Sequence, residues 1–251
     1  MSESPSIVAI RQDYDRVMQY DPYWDREIEL KFNVAESVDP LNLLDDIERK
    51  LKADAFLPYR FDPYARRWEP SNYVFGINAA GDRREACVVV NVGSGWFFRM
   101  KRDVLEMPPA DGRLRAFILD RQEKFELPET STLQAFLTLM DRQVVELGRP
   151  IEYLGCYRRQ LRTIACSSDS GHTYAINADV CVGPASTQRL QQLEVAAMWK
   201  REATRNFSKE ELYADIERVG QILMETYNGD RVVLGPTRLT KFEWFTGLDP
   251  N

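Results

Sequence analysis

The segment Arg26-Glu27-Ile28-Glu29-Leu30-Lys31-Phe32 alternates charged and apolar side chains residue by residue. Alternation at period two is the signature of a strand, because successive side chains leave a pleated backbone on opposite faces. One face then carries Glu27, Glu29 and Lys31, and the other carries Ile28, Leu30 and Phe32. Two like-charged carboxylates beside an ammonium are tolerated on a solvated face. They also suit the lining of a barrel, where the two acids hold a cation, Lys31 meets an anion, and helices cover the apolar face. Either way the strand has two unlike sides, and the rest of the chain must supply a cover for the apolar one.

The chain has what a core needs. Hydrophobic residues make up 44% of the 251 positions and charged residues 29%, a globular composition. No apolar run reaches the length of a membrane span. The start, Met1-Ser2-Glu3-Ser4-Pro5, lacks the basic and apolar regions of a signal peptide, so the cytoplasm is the expected location. The four cysteines form no CxxC pair and read as reduced, packed thiols. The single histidine, His172, sits in a Ser-Gly-His-Thr turn. A histidine triad or histidine metal cluster is thereby nearly excluded, and His172 reads as a turn residue without a role. The net charge of −6 argues against a broad nucleic-acid surface but not against a basic interior.

Residues 6–20 have helical spacing and read as a lead-in packed on a main domain over 26–251. Asp39-Pro40 is a helix start, with Leu43, Leu44, Ile47 and Leu51 as the buried stripe to about Lys52. The stretch 56–70, with three prolines and with Arg60, Arg66 and Arg67, reads as a long loop. A hairpin is expected from 73–77 and 86–90, then a strand 96–101 with Arg99 and Lys101 on one face, and another at 113–118 with Arg113 and Arg115 on one face. A capping box at Ser131 opens a helix to about 147. Strands follow over 153–165, with Arg158 and Arg162 sharing a face opposite Arg159, and over 174–182, with Asn177 and Asp179 on one face. Residues 189–199 read as a long strand with Gln192 and Glu194 on one face and Leu193 and Val195 on the other, while Leu190, Leu193 and Ala197 also fit a helical period. Ser208-x-x-Glu211 starts a helix that stops at Asn228-Gly229. The tail to Trp244 reads as alternating, with Lys241 and Glu243 on one face.

Six or seven two-faced strands and three striped helices fit an α+β fold: a closed antiparallel β-barrel of about eight strands with helices outside. Its interior would collect Lys31, Arg99, Lys101, Arg113, Arg115, Arg158, Arg162 and Lys241 with Glu27, Glu29, Asp179 and Glu194. Buried like charges require compensation. A polyphosphate would neutralise the cations and a divalent ion the carboxylates, whose hard oxygens suit Mg²⁺ or Mn²⁺.

Glu27-x-Glu29-x-Lys31 resembles the ExExK signature of the CYTH domain, the triphosphate tunnel metalloenzymes. The resemblance spans about Arg26 to Trp244. Arg99-x-Lys101 and Arg113-x-Arg115 resemble its basic strand pairs, and Arg158 to Arg162 its arginine-rich strand. Asp179 resembles its later acidic position, Leu193-Glu194-Val195 its second carboxylate strand, and Thr240 to Glu243 its C-terminal lysine segment. The resemblance implies a metal-dependent phosphohydrolase acting on inorganic triphosphate, a nucleoside triphosphate or an RNA 5′-triphosphate. Glu27, Glu29 and Lys31 would be catalytic, the basic set would bind phosphate, and Glu27, Glu29, Asp179 and Glu194 would take the metal. A triphosphate compound or an RNA 5′ end is the implied partner, no membrane is implied, and a homodimer is allowed. One position departs: the second carboxylate strand, usually Glu-x-Glu, reads Gln192-x-Glu194. That leaves open a module that binds a nucleotide or polyphosphate without cleaving it. A class IV-type adenylyl cyclase is the other enzyme reading.

Overall fold

The opening alternation becomes strand β1 (Arg26–Val34). The computed structural model describes residues 26–68, 71–77, 85–92, 95–106, 117–127, 151–185, 187–197 and 209–247. The helices expected over 6–20 and 131–147, and Arg113 and Arg115, lie outside these residues. The remaining elements are α1 (Pro40–Lys52), β2 (Tyr59–Trp68), β3 (Ser71–Ile77), β4 (Glu85–Val92), β5 (Gly95–Glu106), β6 (Phe117–Leu127), β7 (Ile151–Ser168), β8 (Thr173–Val182), β9 (Arg189–Ala197), α2 (Lys209–Tyr227), β10 (Leu234–Thr237) and α3 (Lys241–Thr246). The architecture is α+β with antiparallel sheet. The chain divides into two compact units, one of residues 1–26, 70–104 and 119–157, the other of 27–69, 105–118 and 158–251.

In the first unit β3 pairs with β4 as the expected hairpin, and β4 pairs with β5, all antiparallel. Arg99 and Lys101 stand opposite Val88 and Ala86 in that ladder; their side chains lie outside the described residues.

The second unit holds a six-stranded antiparallel sheet in the order β10–β1–β9–β8–β7–β2. One face is apolar, with Leu30, Phe32 and Val34 of β1, Leu193 and Val195 of β9, Ile176 and Ala178 of β8 and Ile164 of β7 all buried. Helix α1 lies against β8 and β2, and α2 against β9. They contribute Leu43, Leu44, Ile47 and Leu51, and Leu212, Ile216, Val219 and Leu223. Each such side chain fully removed from water contributes roughly 1.5–3 kcal/mol, so this layer is the main source of the unit's stability. Asp39 caps α1 as expected, its Oδ1 accepting from the Leu41 amide at 2.9 Å. Helix α2 ends before Asn228, whose Oδ1 accepts from the Val233 and Leu234 amides at 2.9 and 2.8 Å and so ties β10 to the helix end.

Two expectations are corrected. Residues 56–70 are not a long loop: 59–68 form β2, paired with β7. The register shifts between Asp62 and Ala65, so a bulge takes up Pro63 at the position where a proline cannot serve the ladder. The tail does not run on as alternating strand through Trp244. Thr240 and Glu243 form a reciprocal capping box and wind 241–246 into α3, a Thr-x-x-Glu signature that marks a helix start.

Candidate functional site

Register places the polar residues of four strands in rows on the sheet face away from α1 and α2. Lys31 lies opposite Glu194, and Glu194 opposite Asn177, which stands opposite Thr163. The adjacent row runs Asn33, Gln192, Asp179, Leu161. Glu29, at the other side of Lys31, is opposite Ala196. Directly opposed residues share a face, so the period-two pattern of each strand delivers these side chains to one side.

The result is a buried ionic cluster. Glu29, Lys31, Asp179, Gln192 and Glu194 are all buried, with Asp179 and Gln192 at 0% exposure. Lys31 pairs closely with Glu29 and lies 3.8 Å from Glu194. Lys241, brought in at the start of α3, reaches Glu194 at 2.5 Å and Asp179 at 2.9 Å. Arg159 grips Asp179 with two nitrogens, Nη2 to Oδ2 at 2.8 Å, and its Nη2 lies 3.9 Å from Glu194. Three carboxylates thus face three cations. Thr163 completes the floor by donating to Asn177 Oδ1 at 2.7 Å.

The mutual pairing favours the charged forms of Glu194, Lys31, Lys241 and Arg159. Burial alone would raise the Glu194 carboxyl, but Lys241, Lys31 and Arg159 together hold it well below its ordinary value. Burial alone would lower Lys31, Lys241 and Arg159; the facing carboxylates outweigh it and hold all three above their ordinary values. Burial first, then neighbouring carboxylates, pushes the Cys166 and Cys181 thiols up to about 12, so neither serves as a nucleophile near neutral pH.

Of the residues singled out in the sequence, the structure brings together Glu29, Lys31, Asp179, Glu194 and Lys241. The Glu27 side chain lies outside the described residues. Arg158 and Arg162 do not join the cluster. Arg158 is exposed, and Arg162 turns to α1, pairing with Asp45 and with Glu48 at 2.6 Å. Their face of β7 is the one that packs on helices, since Arg162 stands opposite Ala178 and Arg158 opposite Val182. Arg159 takes the inward place instead. The signal that finds it is the turn after Ser168. That turn sets Ser167 opposite Thr173 and, counting back, Cys181 opposite Arg159. Residues sharing the face of Asp179 on β7 are therefore 159, 161 and 163.

His172 is also corrected. It is buried, and its Nδ1 lies 2.6 Å from Asp215 Oδ2 on α2. Tyr174 donates to the same oxygen at 2.7 Å, and Tyr59 donates to Asp215 Oδ1. This second polar cluster sits on the helix-covered face.

As metal ligands, the three acids offer only hard oxygens, the donor type Mg²⁺ and Mn²⁺ take. Yet each is engaged by a lysine or arginine, and among the described residues no three acid, histidine or cysteine side chains gather as a metal-holding group. Within those residues the set is incomplete as a metal centre.

No family model and no curated protein matches the chain. Solved structures do. The PH1012 protein of Pyrococcus horikoshii is 17% identical, with 82% of this chain and 93% of that one covered at a TM-score of 0.42. The Pct1 RNA triphosphatase of S. pombe is 11% identical over 90% of this chain and 92% of that one, with a TM-score of 0.39. The RNA triphosphatase domain of the mimivirus mRNA capping enzyme is 8% identical over 88% and 99%, with a TM-score of 0.41.

Proposed function

We propose that the ionic face binds a triphosphate and hydrolyses its terminal phosphoryl group. The observation that carries this reading is the balanced set of three buried carboxylates on one sheet face and three cations, Lys31 buried and Arg159 and Lys241 partly buried. Nothing in the fold requires such a set, because buried ion pairs are weak sources of stability. An anionic chain of phosphates can share Lys31, Arg159 and Lys241 with the carboxylates, and the divalent ion that the sequence resemblance implies would offset the added negative charge. Three cations fixed by strands and by a helix start offer the positioning and charge neutralisation that dominate phosphoryl transfer.

The residues divide by role. Lys31, Arg159 and Lys241 bind phosphate oxygens and take up the negative charge that moves toward the leaving diphosphate. Glu29, Asp179 and Glu194 hold those cations in place. Glu194 is held ionised by three cations, which makes it a poor proton acceptor. Dependence on Mg²⁺ or Mn²⁺, closure of the sheet into a tunnel, and the participation of Glu27, Arg99, Lys101, Arg113 and Arg115 belong to the proposal through the sequence resemblance alone. When bound, such an ion would supply charge shielding at the phosphates. The reading covers inorganic triphosphate, nucleoside triphosphates and RNA 5′-triphosphates. A binding-only module is the second reading, favoured by the neutral Gln192 in the carboxylate strand.

Release of inorganic phosphate from each of these triphosphates, with Mg²⁺, with Mn²⁺ and with neither, tests the proposal. Hydrolysis that disappears in Glu29→Ala is the expected result. Tight triphosphate binding without turnover under every condition selects the binding module, and a cyclic nucleotide product selects a cyclase.

A further inference from the structure

Gln192 is a neutral residue in the midst of the ionic face. Its side chain is wholly buried, opposite Asp179 on one side and Asn33 on the other, and two positions from Glu194 on the same face of β9. Its Nε2 donates to the Leu239 carbonyl at 2.9 Å and to Asn33 Oδ1 at 3.3 Å. A carbonyl only accepts, so the Leu239 contact settles which end of the amide is nitrogen. The other end, Oε1, is buried and finds no hydrogen-bond donor among the described residues. A buried acceptor left without a donor carries its full desolvation penalty, and an orphan of this kind in a functional face calls for a ligand atom that donates.

The chemistry narrows that atom. Ionised phosphate oxygens are acceptors, so Oε1 does not bind the triphosphate itself. Lys31, Arg159 and Lys241 are held by Glu29, Asp179 and Glu194. The donor that a hydrolysis must bring is water. We infer that Gln192 Oε1 accepts a hydrogen bond from the attacking water and so aims its lone pair at the terminal phosphorus. This inference rests on the hydrolase reading. In the step, the water oxygen forms a bond to the terminal phosphorus. The bridging P–O bond breaks, and its electron pair leaves on the diphosphate. One proton of the water stays on the inorganic phosphate and the other passes to solvent. The amide orients the water and takes no proton, as a water-positioning glutamine does in other phosphoryl-transfer sites. Gln192 is in these terms a residue that touches a reactant, whereas the carboxylates act through the cations.

The test compares the parent protein with Gln192→Met and Gln192→Glu, using inorganic triphosphate for turnover and its bridging-imido analogue for binding. In Gln192→Met, kcat falls about 100-fold, the loss expected for a misplaced reactant. KM and the analogue's affinity stay within about 3-fold of the parent. In Gln192→Glu, kcat rises as the pH is lowered, because a protonated carboxyl restores both a donor toward Leu239 and an acceptor oxygen. That profile remains informative if the methionine variant does not fold. A loss confined to KM and analogue affinity, or a loss seen with nucleoside triphosphates but not with inorganic triphosphate, overturns the inference: Gln192 would then pin the chain or meet a hydroxyl of the substrate. If the parent hydrolyses triphosphate and Gln192→Met matches it, the inference alone fails. If the parent hydrolyses none, the hydrolase reading fails first.

Discussion

The two faces of the second unit's sheet each bury a polar cluster, and the clusters are built differently. On the helix-covered face Asp215 of α2 takes Tyr59 and Tyr174 from the sheet and His172 from the turn between β7 and β8. On the other face Asp179 and Glu194 share Lys241, Glu194 is approached by three cations, and Gln192 keeps an acceptor with no donor among the described residues. The first cluster is local: one acid joins one helix to one set of strands. The second is shared: Lys241 serves two carboxylates, Glu194 faces three cations, and one buried acceptor finds no donor among the described residues. A polar cluster that closes on itself holds a fold together, and one that shares its partners is suited to a ligand.

Activity should separate them most. Lys241→Met removes the cation that touches two carboxylates and is expected to lower triphosphate turnover about 100–1,000-fold. Asp215→Asn should leave turnover per folded molecule within about 3-fold. Steady-state assays on both variants measure the contrast, and equal losses would erase it. Stability should separate them in the opposite sense. Asp215→Ala removes the carboxylate that Tyr59, Tyr174 and His172 share, leaving Tyr59 the main-chain carbonyl of residue 215 at 3.2 Å, and is expected to cost about 2–4 kcal/mol, read from denaturant unfolding. Burial, then the bond to Asp215, holds both tyrosines above their ordinary values, so their hydroxyls remain donors across the working pH range.

The acid limb gives a smaller effect. Glu194 is held below the unfolded carboxylate value of about 4.3. Its pairing therefore contributes stability that is fully present above that value and is lost as the pH falls through the lower folded one. The stability difference between the parent and Glu194→Gln should be flat from neutral pH to about 5 and then shrink in stronger acid, followed by chemical denaturation at each pH. Smallest of all is a thiol contrast: Cys166 and Cys181 should stay inert to a thiol reagent at pH 8 in the folded protein and react once it unfolds.

How much of this was legible in the sequence depends on the range of the signal. Period two along β1, β8 and β9 assigned Glu29, Lys31, Asp179 and Glu194 to one face correctly, because alternation is a property of each strand by itself. The caps of α1 and the end of α2 were equally local. Arg159 was missed because β7 has apolar residues on both faces, Leu161 and Ala165 on one and Ile164 and Cys166 on the other, so alternation is silent there. Charge density favoured Arg158 and Arg162, and only the cross-strand register rejects them. His172 was missed because Asp215 lies 43 residues away in sequence, beyond any local pattern. The β2 strand was hidden by Pro63, whose cost the bulge absorbs.

Because side chains change sides at every step along a strand, the sheet reads its sequence in strict pairs. Losing or gaining one residue inside β9 would turn Glu194 toward α2 and present Leu193 to the lysines, a full inversion from a single codon. Substitutions can therefore retune this protein position by position, while length changes are confined to its bends, such as 169–171. Lineages of such a chain should differ freely in loop length there and hardly at all in spacing between Gln192 and Glu194.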